Sequence, residues 1–154
     1  MSATLHSATT STPSTMGARI CAPTRLEERA LRAGARTPTT RCGIGAGTAE
    51  RAGARAPLTD AAAIAVAGIC GGLDPGLRTG DVVVADRLTR DGHPTVELPA
   101  ARVVAARLRR EGLRVHVGAI AGVDHVVHGP EREVLRSQGA LASSRTVLLA
   151  EPRS

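Results

Sequence analysis

Apolar residues along this chain fall into short continuous runs separated by stretches with helical spacing. Continuous runs at 61–67 (AAAIAVA) and 82–86 (VVVAD) are typical of strands that are covered on both faces. RVHVGAIAG at 114–122 alternates and then becomes fully apolar, which predicts another strand. ARIC at 18–21 is a short candidate strand, and the threonine-rich segment before GIGAG is a weaker one. The pattern therefore predicts a sheet with buried central strands.

Helical spacing separates these strands. A helix is predicted from Arg25 to Ala33, ending at Gly34, and AERAGARA at 49–56 is rich in helix formers. The strongest helical pattern is PAARVVAARLRREG at 99–112. The segment DHVVHGPEREVLRSQGALA predicts a loop followed by a helix. One apolar stripe marks the 99–112 helix, formed by Ala101, Val104, Ala105 and Leu108. Strands that alternate with helices indicate an α/β fold with mostly parallel pairing.

Composition narrows the functional classes. The 154 residues suit one domain, and since Phe, Tyr and Trp are absent, its core must consist of Ala, Val, Leu and Ile. The net charge is +6, but the arginines are scattered and no aromatic residue is present to stack on bases, so we expect no nucleic-acid partner. No apolar run is long enough for a membrane span. Three widely spaced cysteines, with no disulfide or metal-ligand spacing, indicate a cytoplasmic protein.

Glycines follow the first long apolar run, in AVAGICGGLDPGLRTGDVVVAD. Ligands of open α/β sheets bind outside the carboxyl ends of strands, and glycine there allows a ligand to approach the backbone. Gly68, Gly71 and Gly72 are therefore candidates for a binding loop, although the glycines taken alone favour a tight turn between sheet elements. GIGAG at 43–47 lacks the ending of a P-loop and the last glycine of a dinucleotide fingerprint.

Four segments in order resemble the purine nucleoside phosphorylase and nucleosidase superfamily. They are CAPTRLEERALRAG, RCGIGAGTAERAGA, AVAGICGGLDPGLRTGDVVVADRL and VHVGAIAGVDHVVHGPER, and together they span roughly residues 18–142. Within the superfamily, the chain is most similar to the nucleosidase-like proteins of hopanoid biosynthesis, which act on adenosylhopane. The resemblance implies a three-layer αβα fold around a central mixed sheet, and cleavage of a purine N-ribosyl bond without a cofactor.

The resemblance also implies site residues. An early acidic residue that holds the attacking water or phosphate matches Glu27, or Glu28 if the register slips by one. Either carboxylate would also be expected in the first turn of a helix, where the helix dipole favours it. The remaining matches are ligand-binding positions: Gly45 in the first loop, Ile69, Cys70 and Gly71 along the base and ribose, and Val126 against the base.

The sequence assigns no catalytic role to the histidines or to the two remaining candidate aspartates. His116, His125 and His128 lack the helical spacing of zinc ligands, so we expect ordinary polar positions and no metal. Asp86 and Asp124 are interpreted as strand-end caps.

The carboxyl-terminal segment departs from the family pattern. The resemblance implies a Met-Glu-Ser-type motif after GALA, whose carboxylate binds the ribose hydroxyls, and a later Asp that protonates the base. This chain continues GALASSRTVLLAEPRS. We therefore expect a disordered leader at 1–16, a partial domain at 17–142 and an unrelated tail at 143–154, as in a truncated or frameshifted product.

Two functions follow from that departure. The first is cleavage of a purine nucleoside by water or phosphate, impaired by the truncation. The alternative is a nonenzymatic remnant that binds purine nucleosides weakly. A partial domain also leaves apolar strand surface open, so we expect self-association into a homo-oligomer.

Overall fold

A computed structural model describes residues 17–34, 36–44 and 61–146 of the chain. The predicted leader at 1–16, the predicted helix at 49–56, Gly45 and residues 147–154 lie outside these ranges. Within them the chain forms eight strands and three helices, assembled into two sheets.

The first sheet is small and parallel. Its elements are β1 (Ala18–Ala22), α1 (Arg25–Gly34), β2 (Thr39–Arg41) and β3 (Ala63–Val66). The strand order is β2-β1-β3, with both neighbours parallel to β1. Helix α1 begins at Arg25 because Thr24 and Glu27 cap it reciprocally: the Glu27 N–H donates to Thr24 Oγ1 (3.2 Å), and the Thr24 N–H donates to Glu27 Oε2 (2.8 Å).

The second sheet is larger and mixed. Its strands run in the order β4-β8-β7-β5-β6; β5, β7 and β8 are parallel, while β4 and β6 pair antiparallel at the two edges. Its elements are β4 (Gly71–Gly72), β5 (Val82–Arg90), β6 (Val96–Glu97), α2 (Ala101–Arg110), β7 (Val115–Gly122), α3 (Gly129–Ser137) and β8 (Ala140–Ser144). The predicted α/β fold, a mixed sheet with flanking helices, is confirmed.

Small residues make up most of the buried core. Ala105 on α2 is fully buried, and Ala101 is nearly so, whereas Val104 of the predicted stripe is 46% exposed. Leu73, Ala121, Val127 and Ala140 form one buried cluster, which Val123 and Leu135 flank. Alanine allows the backbones of neighbouring elements to approach closely, so the core closes without aromatic side chains. No helix in the described ranges has both the length and the apolar character needed to cross a membrane.

Three elements differ from the sequence-based expectations. Strand β3 was predicted to be covered on both faces, but all four of its residues are exposed, because it lies at the outer edge of the three-stranded sheet. The polar segment 89–97 lies outside the strands predicted from the sequence, yet it carries the end of β5 and all of β6, which pair across the Asp91–Gly92 turn. The GALA segment forms strand β8 instead of continuing a helix, and β8 extends past the expected boundary at 142 to Ser144.

Candidate active site

A cavity of about 370 Å³ lies where the carboxyl ends of β1, β3, β7 and β8 approach one another. Five residues singled out from the sequence line it together: Glu27, Ile69, Cys70, Gly71 and Val126. They come from helix α1, the connection between β3 and β4 with the first residue of β4, and the loop after β7. Gly45, the remaining one, lies outside the described residues, although its near neighbour Ile44 lines the cavity. The position agrees with the general placement of ligands in open α/β sheets.

The Glu27 carboxylate links the two sides of this cavity. Its Oε2 accepts from the Thr24 hydroxyl (2.6 Å) and the Thr24 N–H (2.8 Å), and its Oε1 accepts from the Ile69 N–H (2.7 Å). An ionised carboxylate offers about four acceptor positions. Three are occupied here, which leaves one acceptor position for a further donor such as water.

The Glu27 carboxylate lies so close to the backbone at residue 68 that glycine is required at this position. A Cβ atom at Gly68 would lie 2.7 Å from Glu27 Oε1 and 2.8 Å from Pro23 Cγ, closer than real Cβ contacts permit. The glycine signal in the sequence thus has a specific cause at this position: it lets the β3–β4 connection reach the carboxylate.

Glu28, the alternative register for the acidic residue, has a different environment. Its Oε1 pairs with the Arg32 guanidinium at 2.8 Å on the surface of α1, one helical turn away. Glu28 does not line the cavity, so the geometry places Glu27 in the site and leaves Glu28 in a helix-surface ion pair.

Cys70 and Gly71 form a neutral wall. Gly71 pairs with Ser143 across the β4–β8 ladder, and a Cβ atom there would lie 3.2 Å from Ser143 Oγ. Burial raises the pKa of the Cys70 thiol, so this side chain is an uncharged part of the lining at neutral pH. A protonated thiol is a poor nucleophile, consistent with a packing role for Cys70.

The opposite wall comes from the loop after β7. Val127 is 6% exposed and belongs to the buried cluster, whereas its neighbour Val126 is 59% exposed and faces the cavity. Burial of Val127 anchors the loop, and Val126 is presented to a ligand as a result.

His125 stands at the boundary between this cavity and a second one of about 670 Å³. Its Nδ1 is 2.6 Å from Asp124 Oδ1, and its Nε2 is 2.8 Å from Glu131 Oε2. These hydrogen bonds, first the one to Asp124 and then the one to Glu131, raise the pKa of His125, while the pKa of Asp124 is lowered by the same contact. Asp124, interpreted from sequence as a strand-end cap, therefore forms an ion pair with His125.

His116, His128 and Asp86 do not line the cavity. His116 Nε2 is 2.9 Å from Asp81 Oδ2, and His128 precedes the first residue of α3. Asp86 lies at a register shift of β5, where its carboxylate is 3.7 Å from the Arg87 guanidinium. Among the described residues, no group of three or more His, Cys, Asp or Glu side chains is arranged to hold a metal ion.

Several lining residues were missed by the sequence analysis. They are Thr24, Arg132, Ser143, Ser144, Arg145 and Thr146. Four of the six belong to the segment interpreted as an unrelated tail. Recognising ALASS as a parallel strand would have placed residues 144–146 at the same carboxyl edge as the glycine loop. Nothing in the local pattern marks Arg132.

A sequence profile decides the family. The profile described as the Phosphorylase superfamily matches residues 33–144, which is most of the chain. The chain belongs to the Phosphorylase superfamily. A comparison with curated proteins gives no significant match.

Solved structures share the fold of this Phosphorylase superfamily chain. The S-adenosylhomocysteine nucleosidase of Streptococcus pyogenes superposes with a TM-score of 0.70 at 22% identity, covering 86% of this chain and 74% of that one. A futalosine hydrolase mutant of Helicobacter pylori gives 0.70 at 17% identity, covering 85% and 80%. The 5′-methylthioadenosine/S-adenosylhomocysteine nucleosidase of Helicobacter pylori gives 0.71 at 18% identity, covering 84% and 75%. At these identities the likeness establishes the fold.

Proposed function

We propose that this chain binds a purine nucleoside in the 370 Å³ cavity and cleaves its N-ribosyl bond. The observation that carries the proposal is the convergence of Glu27 with Ile69, Cys70, Gly71 and Val126, which are far apart in sequence. Family membership and the fold of the nucleosidase structures support the same activity.

The proposed role of Glu27 is to hold the attacking water. Cleavage of an N-ribosyl bond develops positive charge on the ribose, and a carboxylate close to that charge stabilises it. The three hydrogen bonds from Thr24 and Ile69 fix the orientation of the carboxylate. As the oxygen of a water molecule attacks C1′, the C1′–N bond breaks and its electron pair leaves with the base. The remaining acceptor position of Glu27 takes the proton of that water, and solvent supplies the proton that the departing base gains.

The base is proposed to lie between Val126 and the segment of Ile69 and Cys70. Val126 is 59% exposed and Ile69 is 79% exposed, so a planar base would bury apolar surface on both. A valine offers less contact area than an aromatic ring, which lowers the affinity that this wall supplies.

Release of adenine from 5′-methylthioadenosine tests the proposal. We expect slow release by the wild-type chain and a further loss of about 10² to 10⁴ in rate for Glu27→Gln, as is typical when a general base is removed. Glu28→Gln is the matched control, because it changes the same charge one residue away and outside the cavity. Both variants are compared by thermal melting first. Equal rates for Glu27→Gln and Glu28→Gln would contradict the role of Glu27.

The second candidate function is nucleoside binding without cleavage. Glu27 is the single carboxylate among the described residues that line the cavity. His125, the lining group best suited to protonate a base near neutral pH, has both ring nitrogens engaged by Asp124 and Glu131. Titration of adenosine in a calorimeter, together with chromatography of the products, separates the two functions: binding with no adenine released over hours supports the second candidate.

Assays of a panel of candidate nucleosides can identify the substrate. The resemblance favours adenosylhopane, and the structural neighbours suggest 5′-methylthioadenosine, S-adenosylhomocysteine and futalosine. Each compound is assayed with and without inorganic phosphate. Ribose 1-phosphate products identify a phosphorylase, and free ribose products identify a hydrolase.

A further inference from the structure

Cys21 and Cys42 have no part in the proposed reaction, yet they meet at the carboxyl ends of two neighbouring strands. Cys21 belongs to β1, and Cys42 directly follows the last residue of β2. The strands are parallel, and the Cys42 N–H donates to the Ala22 carbonyl at 2.9 Å, which continues their pairing past the end of β2. Both thiols are free, and the two residues are 0% and 2% exposed. The fold thus brings together two buried thiols that are distant in sequence.

The two thiols lie on the same face of the small sheet. Cys21 is opposite Thr40, and Cys42 is two residues beyond Thr40, so the alternation of side chains places all three on one face. A hydrogen bond between the thiols lowers the pKa of Cys21, whereas this bond and then burial raise the pKa of Cys42. Cys21 is therefore the thiol that more readily becomes a thiolate, which is the nucleophilic form of cysteine.

The cysteine pair is connected to two segments that line the cavity of about 370 Å³. The Cys21 carbonyl accepts from the Ala67 N–H at 2.9 Å, two residues before Ile69. Cys42 is two residues before Ile44. Because Ile69 and Ile44 both line the cavity, a movement of either cysteine reaches the cavity wall through a short length of backbone.

A disulfide between these residues requires a displacement of that backbone. Neighbouring strands lie about 4.8 Å apart and each residue advances about 3.3 Å, so the Cα atoms of a pair offset by two residues are about 8 Å apart. A disulfide needs a Cα separation below about 7 Å. Forming the bond therefore draws Cys42, which lies past the end of β2, about 1 Å toward Cys21. Ile44 would move with it.

We propose that hydrogen peroxide converts Cys21 and Cys42 into a reversible disulfide that changes the shape of the cavity. The bond itself requires only the two thiols and the peroxide. Its effect on a bound nucleoside rests on the proposed function.

The chemistry takes two steps. The Cys21 thiolate attacks one oxygen of the peroxide, the O–O bond breaks, and Cys21 becomes a sulfenic acid; the hydroxide that leaves takes up the proton that Cys21 lost, giving water. Cys42 Sγ then attacks the Cys21 sulfur and loses its proton, and the S–O bond breaks with release of a second water. Two thiols are oxidised to one disulfide, and one peroxide is reduced to two waters.

Peptide mapping of the native chain tests the bond. Cleavage at arginine places Cys21 in peptide 20–25, Cys42 in peptide 42–51 and Cys70 in a third peptide. After treatment with hydrogen peroxide and alkylation in denaturant, we expect the first two peptides to be linked, with the loss of two hydrogen atoms, and dithiothreitol to separate them. Cys70→Ser is the control, in which the same link should form. Free Cys21 and Cys42, a link to Cys70 or a link only between chains would overturn the proposal.

Single-cysteine variants test the order of the steps. In Cys42→Ser the second step is impossible, so peroxide should leave a sulfenic acid on Cys21 that dimedone traps. In Cys21→Ser the remaining Cys42 thiol should react more slowly, since its pKa is no longer offset by a partner thiolate and it stays buried. Melting curves verify that both variants fold, and mapping of the wild type decides the proposal if one does not. Faster trapping on Cys42 than on Cys21 would overturn the role of Cys21 as the attacking thiol.

Calorimetric titration of adenosine tests the effect on the cavity. We expect the oxidised chain to bind adenosine about tenfold more weakly than the reduced chain, and dithiothreitol to restore the affinity. Cys21→Ser should bind adenosine equally before and after peroxide. Equal affinities of the reduced and the linked wild type would overturn the effect on the cavity. Absence of adenosine binding in both states would reject the proposed function, while the mapped link would still establish the disulfide.

Discussion

Strands β3 and β8 have similar alanine-rich composition and very different surroundings. In β3, which reads AIAV, every residue is exposed, whereas in β8, which reads ALASS, Ala140, Ala142 and Ser143 are buried. The difference comes from position: β8 lies between β4 and β7 in the five-stranded sheet, and β3 is the edge of the three-stranded sheet. An apolar run therefore indicates that a strand forms, but its neighbours in space determine whether it is buried.

A charge placed on each strand should give the largest effect. Ala142 is completely buried, so Ala142→Asp should lower the free energy of unfolding by about 3 to 5 kcal/mol, or prevent folding, because the carboxylate has no partner. Ala65→Asp on the exposed β3 should cost less than about 1 kcal/mol. Urea denaturation of both variants measures the difference. Equal destabilisation would show that β3 is buried in solution.

A methyl group added between β7 and β8 should have the next largest effect. A Cβ atom at Gly118 would lie 2.5 Å from Leu141 Cδ1 and 2.8 Å from its Cγ, so Leu141 must move in Gly118→Ala. We expect a loss of about 1 to 3 kcal/mol, as is typical of overpacking. Gly34→Ala in α1 is the control, since no atom lies within 4 Å of the added Cβ. A stability of Gly118→Ala equal to that of the wild type would contradict the tight packing of this sheet.

The exposed β3 strand should promote self-association. Ile64 and Val66 are 44% and 40% exposed on an edge strand, which can pair with another chain. We expect concentration-dependent sedimentation of the wild type, and weaker association by about tenfold or more for the Ile64→Lys, Val66→Lys double variant. Val103→Lys, also exposed but on a helix, should sediment as the wild type does. A monomer at all concentrations would contradict the prediction.

The two ends of the five-stranded sheet should respond oppositely to pH. The pKa of Asp81 is lowered by the Arg78 N–H, then by His116 and Arg114, so its stabilising contribution is present above the ordinary value of 3.8 and is lost as pH falls through the lower folded value. The pKa of His125 is raised, so its contribution is complete below 6.5 and is lost as pH rises through the folded value.

Urea midpoints measured across pH check both signs. Asp81→Asn should flatten the acidic limb of the stability curve, and His125→Gln should flatten the limb above about pH 6.5, where the wild type loses this contribution. An unchanged alkaline limb in His125→Gln would mean that the ion pairs with Asp124 and Glu131 contribute nothing in solution.

Much of the fold was predictable because its signals are local. The helical segment of α1 with its end at Gly34, the apolar stripe of α2 and the alternation in β7 are patterns within single elements. The exposure of β3 and the existence of β6 were not predictable, because they depend on neighbours that are distant in sequence. The family resemblance predicted both Glu27 and Val126 as site residues, and in the structure both line the same cavity. Arg132 and Arg145 were missed, because their position at the cavity depends on how α3 and β8 meet the glycine segment.

Glu27 is the helix cap of α1, the acceptor for the β3–β4 connection and the proposed base at the same time. A substitution at Glu27 would therefore change both the thermal stability and the catalytic rate of the protein. Neither property can be improved at this position without affecting the other. Proteins that share this arrangement should gain stability elsewhere, in the α2 and β5 layer, and leave the Thr24–Glu27–Ile69 contacts unchanged. A screen for thermostable variants of this chain should accordingly return substitutions far from the cavity.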